Sequence, residues 1–572
     1  MQTSKIRNIA IVAHVDHGKT TFVDTLFKQS GTFRDNQQLD ERLMDSNQIE
    51  KERGITILSK CTSINWKDHK INIIDTPGHA DFGAEVERVL SMVDSVIVIV
   101  DAREGIMPQT KFVLRKALSH NLKPLVMINK IDREHIRIAE VYEEVLNELF
   151  IHNENLIETT RVFYGSARDG YAYENLEKAE SIKSTKEKGT VHDLLDAILD
   201  LPEPKVDNDT FKMMISIVDV DPYFGKLVIG KVHAGSVAVG DKLFVKNKGG
   251  QVETFRVNKI FGFKGIERLE ITEVIAGDII ALAGSKEATI NDTICINEST
   301  ETLPEIQIDP ATMSISIWAN TSPLAGKEGT KLNARQIKER LEFENMVNVG
   351  INVKIQGDSC EVFGRGELQL SVLIENMRRE GFEMTVGAPK IIIKDNQEPY
   401  EIVMIDVSPD FIGIVTEKLQ MRGGEMKEMI EFEHHVRLVF EIPTRLLLGY
   451  GNDFLSDTKG TGILNKQFSK YGPMHPKKST RLQGVLIATD GGVITAYALD
   501  KLRDRGIFFV EPNHDSYQGM IIGEHNRENN LDVNITRAKH LTNFRTTGSD
   551  GLIILPPPKI MNFEQAIVFI NA

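Results

Sequence analysis

Cysteine is scarce in this sequence, and the few cysteines present lie far apart. The chain of 572 residues contains three, Cys61, Cys295 and Cys360. Isolated cysteines exclude a disulfide framework and a zinc site built from clustered ligands. They are typical of a protein that works in a reducing cytosol.

Long hydrophobic runs and an excess of positive charge are also missing. Apolar runs such as Val96–Val100 are far shorter than the about 20 residues of a membrane-spanning helix. The polar segment Met1–Asn8 lacks the apolar core of a signal peptide. We therefore expect a cytoplasmic protein with no membrane partner. The net charge of −14 argues against a protein that merely coats nucleic acid, but it does not exclude local basic patches.

A phosphate-binding pattern is present near the start of the chain. The apolar run Ile6–Ala13 predicts a buried strand, and Thr20–Gln29 predicts the helix that follows. Backbone N–H groups at this junction would converge on a phosphate at the positive end of the helix. Gly18 allows close approach, Lys19 places a charge on the β and γ oxygens, and the Thr20 hydroxyl is placed for Mg²⁺. The predicted phosphate-binding residues are Asp16, His17, Gly18, Lys19, Thr20 and Thr21.

Four more apolar runs extend this pattern into a sheet. Together with the first, they are Ile6–Ala13, Ile71–Asp75, Ser95–Asp101, Leu125–Asn129 and Val162–Ser166. Continuous Val/Ile runs that alternate with amphipathic helices predict a parallel sheet covered on both faces. Such sheets bind ligands at the carboxyl ends of their strands, where polar residues cluster in this sequence.

Two segments near the second of these strands predict a metal-dependent switch. Asp75-Thr76-Pro77-Gly78-His79 closes the strand, so Asp75 can hold Mg²⁺ through water and the Gly78 N–H can reach a γ-phosphate. Thr56, in Arg53-Gly54-Ile55-Thr56, would give Mg²⁺ a second hydroxyl only while a γ-phosphate holds its loop.

The fourth and fifth strands end in residues suited to guanine. The carboxylate of Asp132 can accept from both N1–H and the 2-amino group of guanine, which adenine does not offer together. The predicted base-binding residues are Asn129, Lys130, Asp132, Ser166 and Ala167, with a backbone N–H of the last two on guanine O6. Each motif alone can also be an unrelated loop, a turn, a helix cap or a solvated charge. Their common order and placement at strand ends favour a GTP site.

These motifs resemble those of translational GTPases. The shared motifs are Asp16-His17-Gly18-Lys19-Thr20, Arg53-Gly54-Ile55-Thr56 and Asp75-Thr76-Pro77-Gly78-His79. The resemblance implies that His79 orients the attacking water, after passing an apolar gate of Val15 and Ile55. Lys19 and Thr56 complete the expected catalytic set. Because the motifs contain no candidate arginine finger, we expect slow turnover until the ribosome orders His79.

The rest of the chain predicts four further domains. Short β-rich runs from Phe211 to Asn297 predict a small antiparallel barrel. Two later stretches have the element order of split βαβ, ferredoxin-like sandwiches and resemble the third and fifth domains of elongation factor G. The predicted fold class is therefore multidomain α/β and β. The predicted limits are 1–203 for a P-loop GTPase domain, 204–304 for the barrel, 305–395 and 396–480 for the two ferredoxin-like α+β domains, and 481–572 for a mainly β C-terminal domain.

Local predictions outside the nucleotide motifs are less specific. The charged segment Asp169–Gly189 is expected to be a loop or a frayed helix. In the last domain, the expected strands are Gly484–Ala488, Val493–Ala498, Ile507–Val510, Met520–Glu524 and Leu552–Leu555, followed by a helix from Asn562.

The C-terminal domain contains a basic loop, Asn534–Arg545, with aromatic rings among its cations. This mixture suits unpaired RNA, although composition alone favours a solvated surface loop. The whole chain resembles the BipA (TypA) family of ribosome-associated translational GTPases, on stretches that include Glu85–Val89, Met107–Thr110, Leu373–Phe382 and Lys539–Asn543. The resemblance implies contacts with A-site tRNA and nearby ribosomal RNA from Arg537, Lys539, His540, Asn543 and Arg545. The family usually continues into a basic tail beyond Ala572, so weaker ribosome binding is one expectation.

The residues and the resemblance together predict a Mg²⁺-dependent GTPase whose hydrolysis is stimulated by the ribosome. The resemblance implies action at the A-site region of both subunits, in large-subunit assembly and in translation under cold or other stress. A monomer is the default expectation. One alternative is a nucleotide-gated assembly or scaffold factor, for which hydrolysis only resets binding. The other is a LepA-type elongation factor, which the sequence Lys539–Asn543 fits less well.

Overall fold

A computed structural model describes residues 3–31, 48–53, 56–77, 80–185, 187–207, 209–265, 267–306, 310–348, 350–431, 436–476, 483–538, 554–561, 565–566 and 569. The chain divides into two compact units. The first comprises Met1–Ala311 with Glu342–Asn352, and the second comprises Thr312–Leu341 with Val353–Ala572. Within the described residues, we find no helix with the length and apolar character needed to cross a membrane.

The first unit begins with an α/β domain. Its strands are β1 Ile6–Ala13, β2 Lys60–Trp66, β3 His69–Asp75, β4 Ser95–Asp101, β5 Lys123–Asn129, β6 Val162–Ser166 and β7 Tyr171–Tyr173. Its α-helices are α1 Lys19–Gln29, α2 Gln48–Arg53, α3 Gly83–Leu90, α4 Pro108–Ser119, α5 Ile138–His152, α6 Asn155–Thr159, α7 Leu176–Thr185 and α8 His192–Leu199, with short 3-10 turns at Thr3–Lys5 and Ala80–Phe82.

The sheet of this domain has the strand order β2-β3-β1-β4-β5-β6-β7. Strands β3, β1, β4, β5 and β6 are parallel, which confirms the sheet predicted from the five apolar runs. Buried side chains form two hydrophobic clusters, one that includes Val98 and one that includes Ile97. Because successive side chains of a strand point to opposite faces, the two clusters together cover both faces of the sheet. Both edges carry an additional antiparallel strand, β2 and β7, that the sequence reading did not include.

The segment expected to be a loop or frayed helix is more ordered than predicted. It contains β7, which pairs with β6, and the helix α7. Tyr171 and Tyr173 are buried, and the Tyr173 hydroxyl accepts a hydrogen bond from the Thr190 N–H at 3.1 Å. Burial of these two rings explains the order, which the surrounding Lys and Glu residues concealed.

An antiparallel barrel follows the α/β domain in the first unit. Its strands are β8 Lys212–Met214, β9 Ile217–Asp221, β10 Gly225–Ala234, β11 Lys242–Asn247, β12 Gly250–Arg256, β13 Lys259–Lys264, β14 Glu267–Ile271, β15 Ile279–Ala283 and β16 Thr293–Cys295. The order is β12-β11-β16-β8-β10-β15-β13-β14, with β9 also paired to β10. Leu243 of β11 and Ile260 of β13 are distant in this order yet belong to one buried core, as in a sheet wrapped into a barrel.

Buried polar contacts join the barrel to the amino ends of the α/β sheet strands. The Lys231 ammonium lies 2.6 Å from Asp94, and the Asn8 amide donates to the Gly277 carbonyl at 2.8 Å. The phosphate-binding pattern follows the opposite, carboxyl end of β1. The barrel therefore leaves the ligand-binding edge of the sheet to the loops of the α/β domain.

Most of the first predicted sandwich and all of the second belong to the second unit. The first has β17 Met313–Ala319, α9 Ala334–Val347, β18 Asn352–Gln356, β19 Ser359–Gly364, α10 Glu367–Arg379, β20 Met384–Val386 and β21 Lys390–Ile391. Its strand order is β18-β19-β17-β20, with β21 also on β17. The second has β22 Gln397–Val407, α11 Ile412–Met421, β23 Glu425–Glu431, β24 Val436–Pro443, α12 Thr444–Leu447, α13 Tyr450–Asp457 and β25 Ile463–Pro473 in the order β23-β24-β22-β25.

The C-terminal domain is mainly β, as predicted, but one of its expected strands is wrong. The elements are β26 Val485–Ala488, β27 Gly492–Val493, α14 Ala496–Leu502, β28 Gly506–Phe508, β29 Asp515–Ser516, β30 Ile521–His525 and β31 Leu531–Val533. The second half of the expected strand Val493–Ala498 is helix, because Thr495 accepts the Ala498 N–H at 3.2 Å and caps α14. The expected strand Leu552–Leu555 and the start of the helix at Asn562 fall partly or wholly outside the described residues.

Candidate nucleotide-binding site

The phosphate-binding loop joins β1 to α1 through two residues in the left-handed region. Asp16 has a φ of 62° and Gly18 a φ of 95°. Helix α1 begins at Lys19, with half-buried Thr20 and exposed Thr21 in its first turn. The first N–H groups of a helix have no partner within that helix and point out of its start. The loop therefore has the backbone form that a phosphate requires.

The Lys19 ammonium brings together side chains from three of the predicted motifs. It lies 2.9 Å from Asp75 Oδ1 and 3.1 Å from Thr56 Oγ1, and it also donates to the Thr76 carbonyl. Thr56 in turn donates to Asp75 Oδ2 at 3.4 Å. Lys19, Thr56 and Asp75 are all buried. Carboxylate and hydroxyl oxygens thus converge on the Lys19 ammonium. Such oxygen atoms are the ligands that Mg²⁺ prefers, so these residues fit the predicted metal ion.

Asn129 connects the phosphate loop to the loop that begins with Ala167, just after β6. Its side-chain N–H donates to the His17 carbonyl at 2.8 Å, and its Oδ1 accepts the Ala167 N–H at 2.9 Å. Buried Ser166 accepts the Asp169 N–H at 3.1 Å. The N–H of Ala167, predicted for guanine O6, is thus bonded to Asn129. The geometry makes Asn129 a brace between the two loops.

The two charged side chains of the guanine motif, Lys130 and Asp132, contact different partners. Lys130 pairs with Asp101 at 2.7 Å. Burial acts to raise the pKa of Asp101, but the charge and hydrogen bond of Lys130 lower it below its ordinary value. Asp132 accepts from Arg168 at 2.9 Å. Because Arg168 is 75% exposed, water screens this pair, and a guanine base can replace it at little cost.

A change of Gly18 to Ala is expected to weaken nucleotide binding at least about tenfold. A Cβ at Gly18 would lie 2.5 Å from Asn129 Nδ2, so the brace on His17 must shift, and the positive φ adds about 1–2 kcal/mol of strain. Gly31→Ala is the matched control, because Gly31 has a φ of 69° but nothing within 4 Å of its Cβ position. Equilibrium titration with a fluorescent GDP analogue measures both. Equal losses in the two variants would contradict the assignment of the effect to Asn129.

Glu50 is a buried residue of the switch segment that sequence reasoning did not identify. Its Oε1 accepts the N–H groups of Ile57 and Leu58 at 3.0 and 3.3 Å, and its Oε2 lies 2.6 Å from Lys60. These contacts tie α2 to the backbone that follows Thr56. Glu50 lies in the run Glu50-Lys51-Glu52, whose charge pattern gave no sign that one carboxylate is buried.

Several predicted site residues lie outside the described residues. They are Ile55, Gly78, His79, Lys539, His540, Asn543 and Arg545. Of the predicted gate, Val15 is half-buried beside the phosphate loop. Of the predicted RNA contacts, Arg537 is exposed, and its carbonyl accepts from the Thr495 hydroxyl at 2.7 Å.

Family models match most of the chain. The Elongation factor Tu GTP binding domain matches residues 4–204, and Elongation factor Tu domain 2 matches residues 225–295. The Elongation factor G C-terminus matches residues 396–482, and the TypA/BipA C-terminal domain matches residues 483–572. The predicted domain limits remain predictions.

Curated relatives match over almost the full length. The large ribosomal subunit assembly factor BipA of Bacillus subtilis (strain 168) is 45% identical over 579 residues, with 99% of this chain and 93% of the relative covered. The chain belongs to the BipA family. The relative of the same name from Escherichia coli (strain K12) is also 45% identical, with coverage of 99% and 94%. The resemblance found in the motifs is confirmed.

BipA-family membership and the matched GTP-binding domain make this chain a GTP hydrolase, as the motifs predicted. A crystal structure of a protein from Thermus thermophilus is similar in fold, with a TM-score of 0.58. It covers 83% of this chain and 98% of its own, at 16% sequence identity. At that identity, the likeness concerns the fold alone.

Proposed function

We propose that this BipA-family GTPase acts in the assembly of the large ribosomal subunit, bound at the A-site region. The contact of the Lys19 ammonium with Thr56 and Asp75 carries the proposal, because it joins the phosphate loop to both predicted switch segments. The relatives named as large ribosomal subunit assembly factors supply the partner. The proposed location is the cytoplasm, on the ribosome, and the proposed oligomeric state is a monomer.

In the proposed cycle, the phosphate loop and Lys19 hold the β and γ phosphates of GTP. Thr20, Thr56 and Asp75 would hold Mg²⁺, with Asp75 acting through water. When bound, the ion would supply positive charge that offsets the phosphate charge in phosphoryl transfer. Lys19 exchanges its contacts with Asp75 and Thr56 for phosphate oxygens, and Asn129, Lys130 and Asp132 hold the base.

The terminal phosphate decides the state of the switch. Thr56 and Gly78 stay in place while a γ-phosphate is present, and loss of that phosphate releases both segments. Glu50 anchors the backbone just after Thr56, so within the first of these segments release is confined to the residues around the threonine. His79 orients the attacking water past the gate of Val15 and Ile55 once the ribosome orders it.

The proposed RNA contacts lie at the far end of the chain. Arg537, Lys539, His540, Asn543 and Arg545 contact the acceptor end of A-site tRNA and nearby ribosomal RNA. Cations meet phosphates, and the His540 ring stacks on an unpaired base. GTP at one end thereby controls docking at the other, in subunit assembly and in translation under cold or other stress.

His79→Ala is expected to abolish the ribosome-stimulated part of GTP hydrolysis and to leave GTP affinity within about twofold. The histidine positions water and does not bind the nucleotide, so only the stimulated step depends on it. Turnover with and without purified ribosomal subunits, together with equilibrium GTP binding, measures both quantities. His152→Ala is the control, because His152 is exposed at the end of α5.

Loss of GTP affinity in His79→Ala would contradict the role of His79. A large-subunit assembly assay with the same variant separates the proposal from the scaffold alternative. Normal assembly without stimulated hydrolysis would favour a scaffold whose hydrolysis only resets binding.

A further inference from the structure

His17 of the phosphate loop has a fully buried ring with a partner at each nitrogen. Its Nδ1 accepts the backbone N–H of Asp101 at 3.3 Å, and its Nε2 lies 3.1 Å from Glu104 Oε2. Asp101 is the last residue of β4, and Glu104 lies in the loop that follows it; neither residue belongs to a nucleotide motif. The phosphate loop is therefore attached to the β4–α4 loop through one imidazole.

These two contacts determine the tautomer of His17. A backbone N–H can only donate, so Nδ1 carries no proton, and Nε2 of the neutral ring must carry it. Glu104 is then the acceptor of the Nε2–H. Burial acts to raise the pKa of Glu104, but its hydrogen bond with His17 lowers the pKa below the ordinary value. The carboxylate is thus charged at neutral pH and always able to accept.

A second layer of contacts holds Glu104 in position. The Arg137 guanidinium donates to the carbonyls of Arg103 and Glu104 at 2.7 and 2.9 Å, and it lies 2.5 Å from Glu144 Oε1. Glu144 also accepts the Ile106 N–H at 3.1 Å. Arg137, which immediately precedes α5, and Glu144, which lies within it, therefore fix the loop that carries Glu104.

The same imidazole bears on the nucleotide site through the backbone of His17. The His17 carbonyl accepts from Asn129, and the next residues are Gly18 and Lys19. A rotation of the ring would move this peptide, and with it the N–H groups that face the phosphates. The β4–α4 loop therefore sits in a chain of direct contacts that ends at the phosphate loop.

We propose that Glu104 is a positioning residue for nucleotide binding, which fixes the tautomer and orientation of His17 and so the shape of the phosphate loop. Arg137 and Glu144 support it. The inference rests on the proposed function of the phosphate loop and adds residues outside every nucleotide motif. Glu104 acts through His17 and does not touch the nucleotide.

The test compares Glu104→Gln with Glu104→Ala in the full chain. Gln keeps an oxygen that accepts the Nε2–H, whereas Ala removes the acceptor and leaves a buried donor without its partner. Stopped-flow dissociation of a fluorescent GDP analogue is the readout. We expect release from Glu104→Ala to be about ten- to a hundredfold faster than from the unmodified chain, and release from Glu104→Gln to lie within about threefold.

A spectroscopic measurement tests the tautomer directly. In protein labelled with ¹⁵N-histidine, the His17 signals of the unmodified chain and of Glu104→Gln should show protonated Nε2 and bare Nδ1. Loss of that pattern in Glu104→Ala, with unchanged thermal unfolding, supports positioning over a general structural role. Glu140→Gln is the matched control, because Glu140 is 63% exposed and contacts Arg137 at 3.4 Å.

The proposal is overturned if Glu104→Ala releases the GDP analogue at the unmodified rate, or if Glu104→Gln is as impaired as Glu104→Ala. Lys19→Met, measured in parallel, separates this failure from failure of the proposed function. Loss of GDP binding in Lys19→Met together with a neutral Glu104→Ala would reject only the positioning role. Normal binding in both would reject the phosphate-loop function as well.

Discussion

Asp132→Asn is expected to change the base preference of this GTPase from guanine to xanthine. The Asp132 carboxylate is proposed to accept from N1–H and the 2-amino group of guanine, and each such bond to a charged acceptor contributes about 1.5–3 kcal/mol. Asn keeps only one acceptor and sets an amide N–H against the 2-amino group, so GTP binding should weaken at least roughly 10- to 10²-fold. An Asn amide offers a donor to the 2-oxo group of xanthine and keeps an acceptor for N1–H. XTP should therefore bind the variant better than GTP does.

Competition between GTP and XTP for a fluorescent GDP analogue measures the exchange of preference. Asp169→Asn is the matched control, because Asp169 contacts the same guanidinium of Arg168 at 3.4 Å but belongs to no base motif. It should retain the preference for GTP. If Asp132→Asn bound GTP as tightly as the unmodified chain, the guanine role of Asp132 would have to be abandoned.

Lys19→Met is expected to abolish measurable nucleotide binding and to destabilise the α/β domain. The ammonium is the proposed partner of the β and γ phosphates, so we expect a loss of at least about a thousandfold in GTP affinity, or about 4 kcal/mol. It is also the buried partner of Asp75, which is itself fully buried. Removing one member of a buried pair costs about 3–5 kcal/mol, because the other charge is left uncompensated.

The two effects of Lys19→Met are separable. Adding Asp75→Asn removes the stranded charge, so the double variant should recover part of the stability while nucleotide binding stays lost. Hydrogen exchange of the α/β domain in nucleotide-free protein and equilibrium GTP titration measure the two quantities. Lys178→Met is the control, since Lys178 and Asp193 are both about half exposed and such pairs contribute at most about 1 kcal/mol. Retained GTP affinity in Lys19→Met would contradict the site.

Much of the fold was predictable where burial dictates composition. Strands β1, β4 and β6 have the predicted bounds, because a strand buried on both faces is composed mostly of apolar residues. The prediction failed where local chemistry competes with β propensity. Val493–Ala498 contains β-branched residues, yet the cap formed by Thr495 turns its second half into a helix.

The sequence alone identified the family and predicted the chemistry of the nucleotide site. Phosphate loops and base motifs depend on particular residue types at fixed spacing, so they can be recognised from the sequence. The tertiary structure alone decided how the site is held: Asn129 braces two loops, Glu50 anchors the switch segment, and Glu104 holds the His17 ring. Those contacts join residues that packing brings together from separate elements. A lone carboxylate in the sequence carries no mark of the buried N–H group that it will meet.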